Sequence, residues 1–176
     1  MTRHPTEPRK TPMPALRPLT QAEYAAWIAR AVPAYAAEKV ASGNWAQSDA
    51  LERARKETQT LLPLGMQTPD HWFFAIVDDA GAQVGELWFA AQARGTERVA
   101  YIYDVVVWPE HQRKGHALRA FAAAEAEVSR LGLAGIALHV FGHNAAARAL
   151  YAKLGYQPTN INMFKPLARG PRLRAS

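Results

Sequence analysis

The sequence predicts an α/β domain of mixed α+β type, with a mostly antiparallel sheet, one central parallel pair of strands, and flanking helices. Three observations carry this. Apolar runs at 71–77, 83–92 and 99–107 are separated by short turns, Asp78-Asp79-Ala80-Gly81 and Arg94-Gly95-Thr96-Glu97, the pattern of a hairpin meander. A strand, a helical stretch and another strand then follow between 99 and 141, and such a crossover makes its two strands parallel neighbours. Helical sequence also precedes the meander and follows the last of these strands.

The elements can be justified in order. Leu16-Arg17-Pro18-Leu19 reads as a short first strand. Thr20-Gln21-Ala22-Glu23 is a capping box, whose hydroxyl and carboxylate each satisfy a backbone N–H at the start of an amphipathic helix. Pro33 is expected to break or restart that helix, since it has no N–H and its ring crowds the preceding turn, and Gly43-Asn44 ends it. Residues 48–64 form a second helical stretch, stopped near Pro63-Leu64-Gly65. After the meander, a helical pattern opens at about Gly115 and places Leu118, Phe121, Ala124, Val128 and Leu131 on one side. Leu131-Gly132 closes it, and Ile136 to Phe141 is the next strand. Asn144 then caps a run of strong helix formers, Ala145 to Leu154, stopped by Gly155. Gln157 to Leu167 is expected to supply final strands, and no internal repeat is evident.

At 176 residues and 49% hydrophobic content, one domain with an ample core is expected. The absence of cysteine excludes disulfides, a thiolate metal site and a cysteine nucleophile. No run approaches the roughly 18 apolar residues of a membrane span, and the first residues lack the apolar centre of a secretory signal. A cytoplasmic protein with no membrane partner is therefore expected. A net charge of +6 invites a nucleic-acid reading. Residues 1–14 contribute +2 of it and residues 166–176 contribute +3, which leaves +1 for the body. A duplex-binding domain would carry that charge on one folded face, so no nucleic-acid partner is expected. The expected division is a disordered N-terminal tail at 1–13, a folded domain at 14–167 and a basic C-terminal tail at 168–176.

The most informative stretch is 107–117, Val-Trp-Pro-Glu-His-Gln-Arg-Lys-Gly-His-Ala. An apolar run stops at a proline, a turn rich in donors follows, and a helix opens. A strand that leads into a helix N-terminus in this way presents orphan amides and the positive end of a dipole to an anion. Gly115 lets the backbone approach a phosphate, Ala117 keeps the next position nearly as small, and Arg113 and Lys114 add mobile positive charge. Neither Gly-x-x-x-x-Gly-Lys-Ser/Thr nor Gly-x-Gly-x-x-Gly occurs, so a P-loop or dinucleotide fold is not supported.

The pattern Gln112-x-x-Gly115-x-Ala117 after Val107-x-Pro109 resembles the pyrophosphate loop of the GNAT superfamily of acyl-CoA-dependent N-acetyltransferases. Residues 144–158, Asn-Ala-Ala-Ala-Arg-Ala-Leu-Tyr-Ala-Lys-Leu-Gly-Tyr-Gln-Pro, are similar to the family's Asn-x-x-Ala-x-x-Leu-Tyr-x-x-x-Gly-Tyr/Phe helix along the pantetheine arm. The resemblance covers residues 70–167 well and 14–69 in outline. It implies a single GNAT-like domain, with strands 99–107 and 136–141 splayed apart around the thioester. It also implies acetyl-CoA as co-substrate, held by Val105, Val106, Val107, Gln112, Arg113, Lys114, Gly115, His116, Ala117, Leu118, Asn144, Ala147 and Tyr151. The activity implied is acetyl transfer to a primary amine of a small molecule or peptide, by direct attack in a ternary complex.

That chemistry needs a neutral amine, a donor for the developing oxyanion and a proton for the departing thiolate. A phenol has a pKa near that of a thiol, and Tyr151 occupies the family's general-acid position. The oxyanion donor implied by relatives is the Val105 backbone N–H. Asp104 stands in the apolar strand Tyr101-Ile102-Tyr103-Asp104-Val105-Val106-Val107, where an ionised carboxylate is costly unless paired. It is a candidate base or amine anchor, and a structural carboxylate is the alternative. His139, read as mid-strand, stands where some relatives place a glutamate base. Trp88, Tyr103 and His139 are the candidate substrate contacts, whereas Glu86 is expected to face solvent. His111, His116 and His143 have no metal-site spacing, so no metal is expected. A non-catalytic acyl-CoA-binding regulatory module is the alternative function, against which Tyr151 argues, and a homodimer is left open.

Overall fold

Five strands assemble in chain order into one sheet: β1 (Leu16–Pro18), β2 (His71–Val77), β3 (Gln83–Arg94), β4 (Glu97–Val107) and β5 (Ile136–Leu138). β1 to β4 pair antiparallel in succession, and β4 and β5 pair in parallel. This computed structural model describes residues 15–163 and 165. The tails expected at 1–13 and 168–176 lie outside the described residues. The chain divides into two compact units, one ending at His139 and one beginning at Val140. The first holds the sheet with α1 (Gln21–Ala41), α2 (Ala50–Leu61) and α3 (His116–Arg130); the second holds α4 (Ala145–Lys153).

Strand alternation divides the sheet's side chains between two layers. Phe73, Ala75, Val77 and Trp88 form one buried cluster with Tyr24 and Trp27 of α1. The alternating positions, including Phe74, Ile76, Leu87 and Phe89, fall on the other face. There α3, which approaches β1, β2 and β4, buries Ala120, Phe121, Ala124 and Val128. Of the predicted apolar stripe on α3, Leu118 is the exception, 39% exposed at the first turn.

Four expectations need correction. Pro33 does not interrupt α1, which runs unbroken from Gln21 to Ala41. Pro33 and Ala29 are both exposed, so the carbonyl that loses its donor faces water. β5 stops at Leu138 rather than Phe141, and His139 is exposed just beyond it. The cause lies in β4: Trp88 opposes Asp104 while Phe89 opposes Ile102, so Tyr103 is an extra residue, a bulge that bends the strand. Pairing with β5 ends there, at Ile102 and Leu138. Residues 157–163 form no strand, and Ile161 and Met163 are 76% and 91% exposed; 164, 166 and 167 lie outside the described residues. Within the described residues the parallel pair thus closes one edge of the sheet. Glu86, finally, does not face solvent; it is 3% exposed, on the α1 face of β3.

Candidate functional site

The end of β4 leads into a row of unsatisfied donors at the start of α3. Trp108 N–H donates to Val84 O at 2.9 Å, toward β3. Alternation therefore turns Val106 toward β3, and Val105 and Val107 toward the opposite edge, which β5 leaves uncovered beyond Ile102. Past the strand, the Gln112 side-chain amide ties the turn to Val107 O at 2.9 Å, and Lys114 Nζ donates to Glu110 O at 2.8 Å. Arg113 (φ 63°) and Gly115 (φ 84°) are both left-handed, on either side of Lys114. Among the described residues, the first N–H of α3 to find a carbonyl is that of Arg119, on Gly115 O at 3.1 Å. The amides of His116, Ala117 and Leu118 are those a helix N-terminus leaves for an anion. A Cβ on Gly115 would meet nothing within 4 Å. A side chain there would meet no clash, only the strain of a left-handed backbone. The Nδ1 of His116 is buried without a hydrogen bond among the described residues.

On the α1 face, one turn of helix meets two carboxylates of the sheet. Trp27 and Arg30 lie three residues apart on α1, on one side of it. Trp27 Nε1–H donates to Asp104 Oδ2 at 2.8 Å, and Arg30 pairs with Glu86. Asp104 and Glu86 are diagonal neighbours across the β3–β4 pair, since Asp104 opposes Trp88 and Glu86 opposes Val106. Burial pushes the Asp104 carboxyl above its ordinary value, and Trp27, Arg30 and the Val105 N–H offset this in part. The bulge turns Tyr103 onto the same face, where its ring stacks on Trp88 at 4.5 Å and 17°. Trp88 Nε1–H donates to His71 Nδ1 at 3.0 Å, and the His71 ring lies nearly parallel to both. Gln92 donates to the Tyr103 hydroxyl at 2.6 Å.

The second unit is described by itself. Asn144 Oδ1 accepts the Ala147 N–H at 3.1 Å, capping α4 as the sequence predicts. The helix ends in a Schellman turn: Tyr156 N–H bonds Tyr151 O at 2.9 Å, Gly155 N–H bonds Ala152 O at 3.1 Å, and Gly155 has φ 87°. The Tyr156 ring comes to 5.7 Å from that of Tyr151, so the Gly-Tyr pair after the helix fixes the Tyr151 ring from one side.

The structure thus brings together Val105, Val107 and 112–118 at one edge, and Asp104, Tyr103 and Trp88 on one face. His139 loses the mid-strand setting its reading rested on. Sequence reasoning missed Arg30–Glu86 and His71. The available signal for the first was a lone acid amid the apolar β3, with an arginine one turn from an apolar tryptophan. His71 carried none, because its neighbours come from two other strands. Among the described residues no group of three His, Asp or Glu is placed to hold a metal, and no helix is long and apolar enough to cross a membrane.

The acetyltransferase (GNAT) family model matches residues 35–156. YdgE and YycN of Bacillus subtilis (strain 168), both named as uncharacterized N-acetyltransferases, are 33% and 34% identical over 152 residues, covering 86% of this chain and 97% of each relative. The crystal structure of YycN, an acetyltransferase by name, superposes with a TM-score of 0.81 at 33% identity, covering 88% of this chain and 98% of that one. An aminoglycoside 6′-N-acetyltransferase of Acinetobacter baumannii, AAC(6′)-Ih, shares the fold at TM-score 0.56 and 16% identity. With the open edge of β4 leading into the amide row of α3, these likenesses make the chain an acetyltransferase of the GNAT family.

Proposed function

We propose that this acetyltransferase moves an acetyl group from acetyl-CoA to a primary amine of a small molecule or peptide, by direct attack in a ternary complex. The observation that carries this is the amide row of His116 to Leu118, set behind the left-handed Arg113 and Gly115 and the open edge of Val105 and Val107. The donor set fits a pyrophosphate: backbone N–H groups, a helix dipole, and Arg113 and Lys114 as exposed cations. Val105 to Val107 would pair with the amides of the pantetheine arm, and Gln112 holds the turn in shape through Val107 O. By the family's pattern, Asn144 and Ala147 would contact the pantetheine arm. Acetyl-CoA supplies an activated acyl group on a thiolate leaving group.

The chain's own residues would do the rest. Asp104, with its pKa raised by burial, would anchor the acceptor's ammonium and take its proton. The Val105 N–H would donate to the carbonyl oxygen as charge develops on it. The Tyr151 hydroxyl would give its proton to the departing sulfur, and Tyr103, backed by the buried Trp88, would contact the acceptor. The domain responsible would span 14–167. Incubation with acetyl-CoA and mixed amine pools, read by mass spectrometry, tests this directly. Acetylated amine together with free CoA is expected. Acetyl-CoA bound without turnover of any amine would contradict it.

A further inference from the structure

The α1 face of β3 and β4 carries more than an acid. Its rings are fixed in place: His71 and Trp88 by their mutual hydrogen bond, and Tyr103 by Gln92 and by its stack on Trp88. His71 and Tyr103 remain only half-buried, so their rings are within reach of a ligand, whereas Trp88 supports them from below at 8% exposed. Beside them stands Asp104, whose hydrogen-bond donors, Trp27 Nε1–H and the Val105 N–H, are neutral, with the Arg30 charge acting on it as well. Its diagonal neighbour Glu86 is already paired with Arg30.

Charges around this face limit what it can hold. Asp70, whose charge acts on His71, is paired with Arg98 at 2.8 Å. Glu38 and Glu57 influence Tyr35, where Lys39 Nζ lies over the ring at 5.2 Å. Arg53 lies 4.7 Å over the neighbouring Trp45 ring, so a second cation would meet positive charge there. Burial pushes the His71 imidazole below its ordinary value, which leaves it neutral near pH 7. With Nδ1 taken by the Trp88 N–H, its proton sits on Nε2, and it repels no ammonium.

Resting on the acetyltransferase reading above, we propose that this face is the acceptor subsite for a primary monoamine on an aromatic or bulky apolar body, with its ammonium at Asp104 and its body against Tyr103 and His71. A single carboxylate beside fixed rings matches one positive charge and one apolar group. A polyamine or an aminoglycoside would leave further ammonium groups without partners.

The test compares 2-phenylethylamine, ethylamine, spermidine and kanamycin as acceptors with the full-length protein. Expected is a kcat/KM for 2-phenylethylamine at least about tenfold above each of the others, worth ~1.4 kcal/mol. In Tyr103→Ala, and in Tyr103→Leu should the first variant fail a thermal melt, the 2-phenylethylamine to ethylamine ratio should shrink to about threefold or less. 2-Phenylethylamine should also change tryptophan emission of the CoA-bound wild type at concentrations where spermidine does not. Faster acetylation of spermidine or kanamycin would overturn the inference and leave the transferase intact. So would turnover of none of the four by a protein that acetyl-CoA stabilises. Failure of acetyl-CoA to bind at all would overturn the reading beneath it.

Discussion

At the residue scale, Asp104 is a carboxylate held where ionisation is costly, with two neutral donors, Trp27 Nε1–H and the Val105 N–H, and Arg30 at longer range. Its folded pKa lies above its unfolded value. Below the unfolded value of about 3.9 it costs nothing, and stability falls as pH rises from there through the folded pKa. Asp104→Asn keeps an oxygen for Trp27 and removes that cost, so at pH 8 its melting temperature should equal or exceed the wild type's. If Asp104 is the amine anchor and base, acetyl transfer should fall at least about tenfold near neutral pH and recover in part as the acceptor deprotonates unaided. A destabilised but fully active variant would return Asp104 to a structural role. For Tyr151→Phe, which keeps the ring in its contact with Tyr156, kcat should drop roughly 10- to 1000-fold while CoA affinity changes only a few-fold. Single-turnover kinetics decides it, and normal rates would leave Tyr151 a packing residue.

At the scale of elements, caps and turns were readable because they are local. The capping box of α1 forms as predicted, and Glu23 gains a two-pronged contact with Arg17 besides. That contact lowers the Glu23 pKa to about 2. Its contribution is present above the unfolded value of about 4.3 and is lost as pH falls through the folded one. Glu23→Ala should cost about 1 kcal/mol at pH 7, and the gap in urea melts should narrow toward pH 3. What sequence could not reveal depends on neighbours far along the chain. The Tyr103 bulge exists only as a register shift between β3 and β4, and it decides where β5 stops, so the expected strand to Phe141 was too long. Gly85 is similar, as an added Cβ would collide with the Val106 carbonyl oxygen of the neighbouring strand β4. Gly85→Ala should destabilise by about 1–3 kcal/mol and displace the end of β4, weakening acetyl-CoA binding in calorimetry as well.

For the whole molecule, the two halves of the site differ in legibility for the same reason. The proposed pyrophosphate loop is one continuous segment, so Gln112, Gly115 and Ala117 could be nominated from sequence, and the helix opens at His116 as expected. The acceptor face draws Trp27 and Arg30 from α1, His71 from β2, Glu86 and Trp88 from β3, and Asp104 from β4, and no spacing in the chain announces that meeting. The central claim is that the loop anchors acetyl-CoA through its backbone, and the thermal shift that acetyl-CoA produces in wild type and in Gly115→Glu tests it most directly. The left-handed φ of 84° will cost the variant some stability, so the increment caused by the ligand is what counts. At about a hundredfold excess over Kd, acetyl-CoA should stabilise the wild type by ~2.7 kcal/mol, roughly 5–10 °C, and the folded variant by less than about 1 °C. An equal increment in the two proteins would contradict the account and remove the loop from the site.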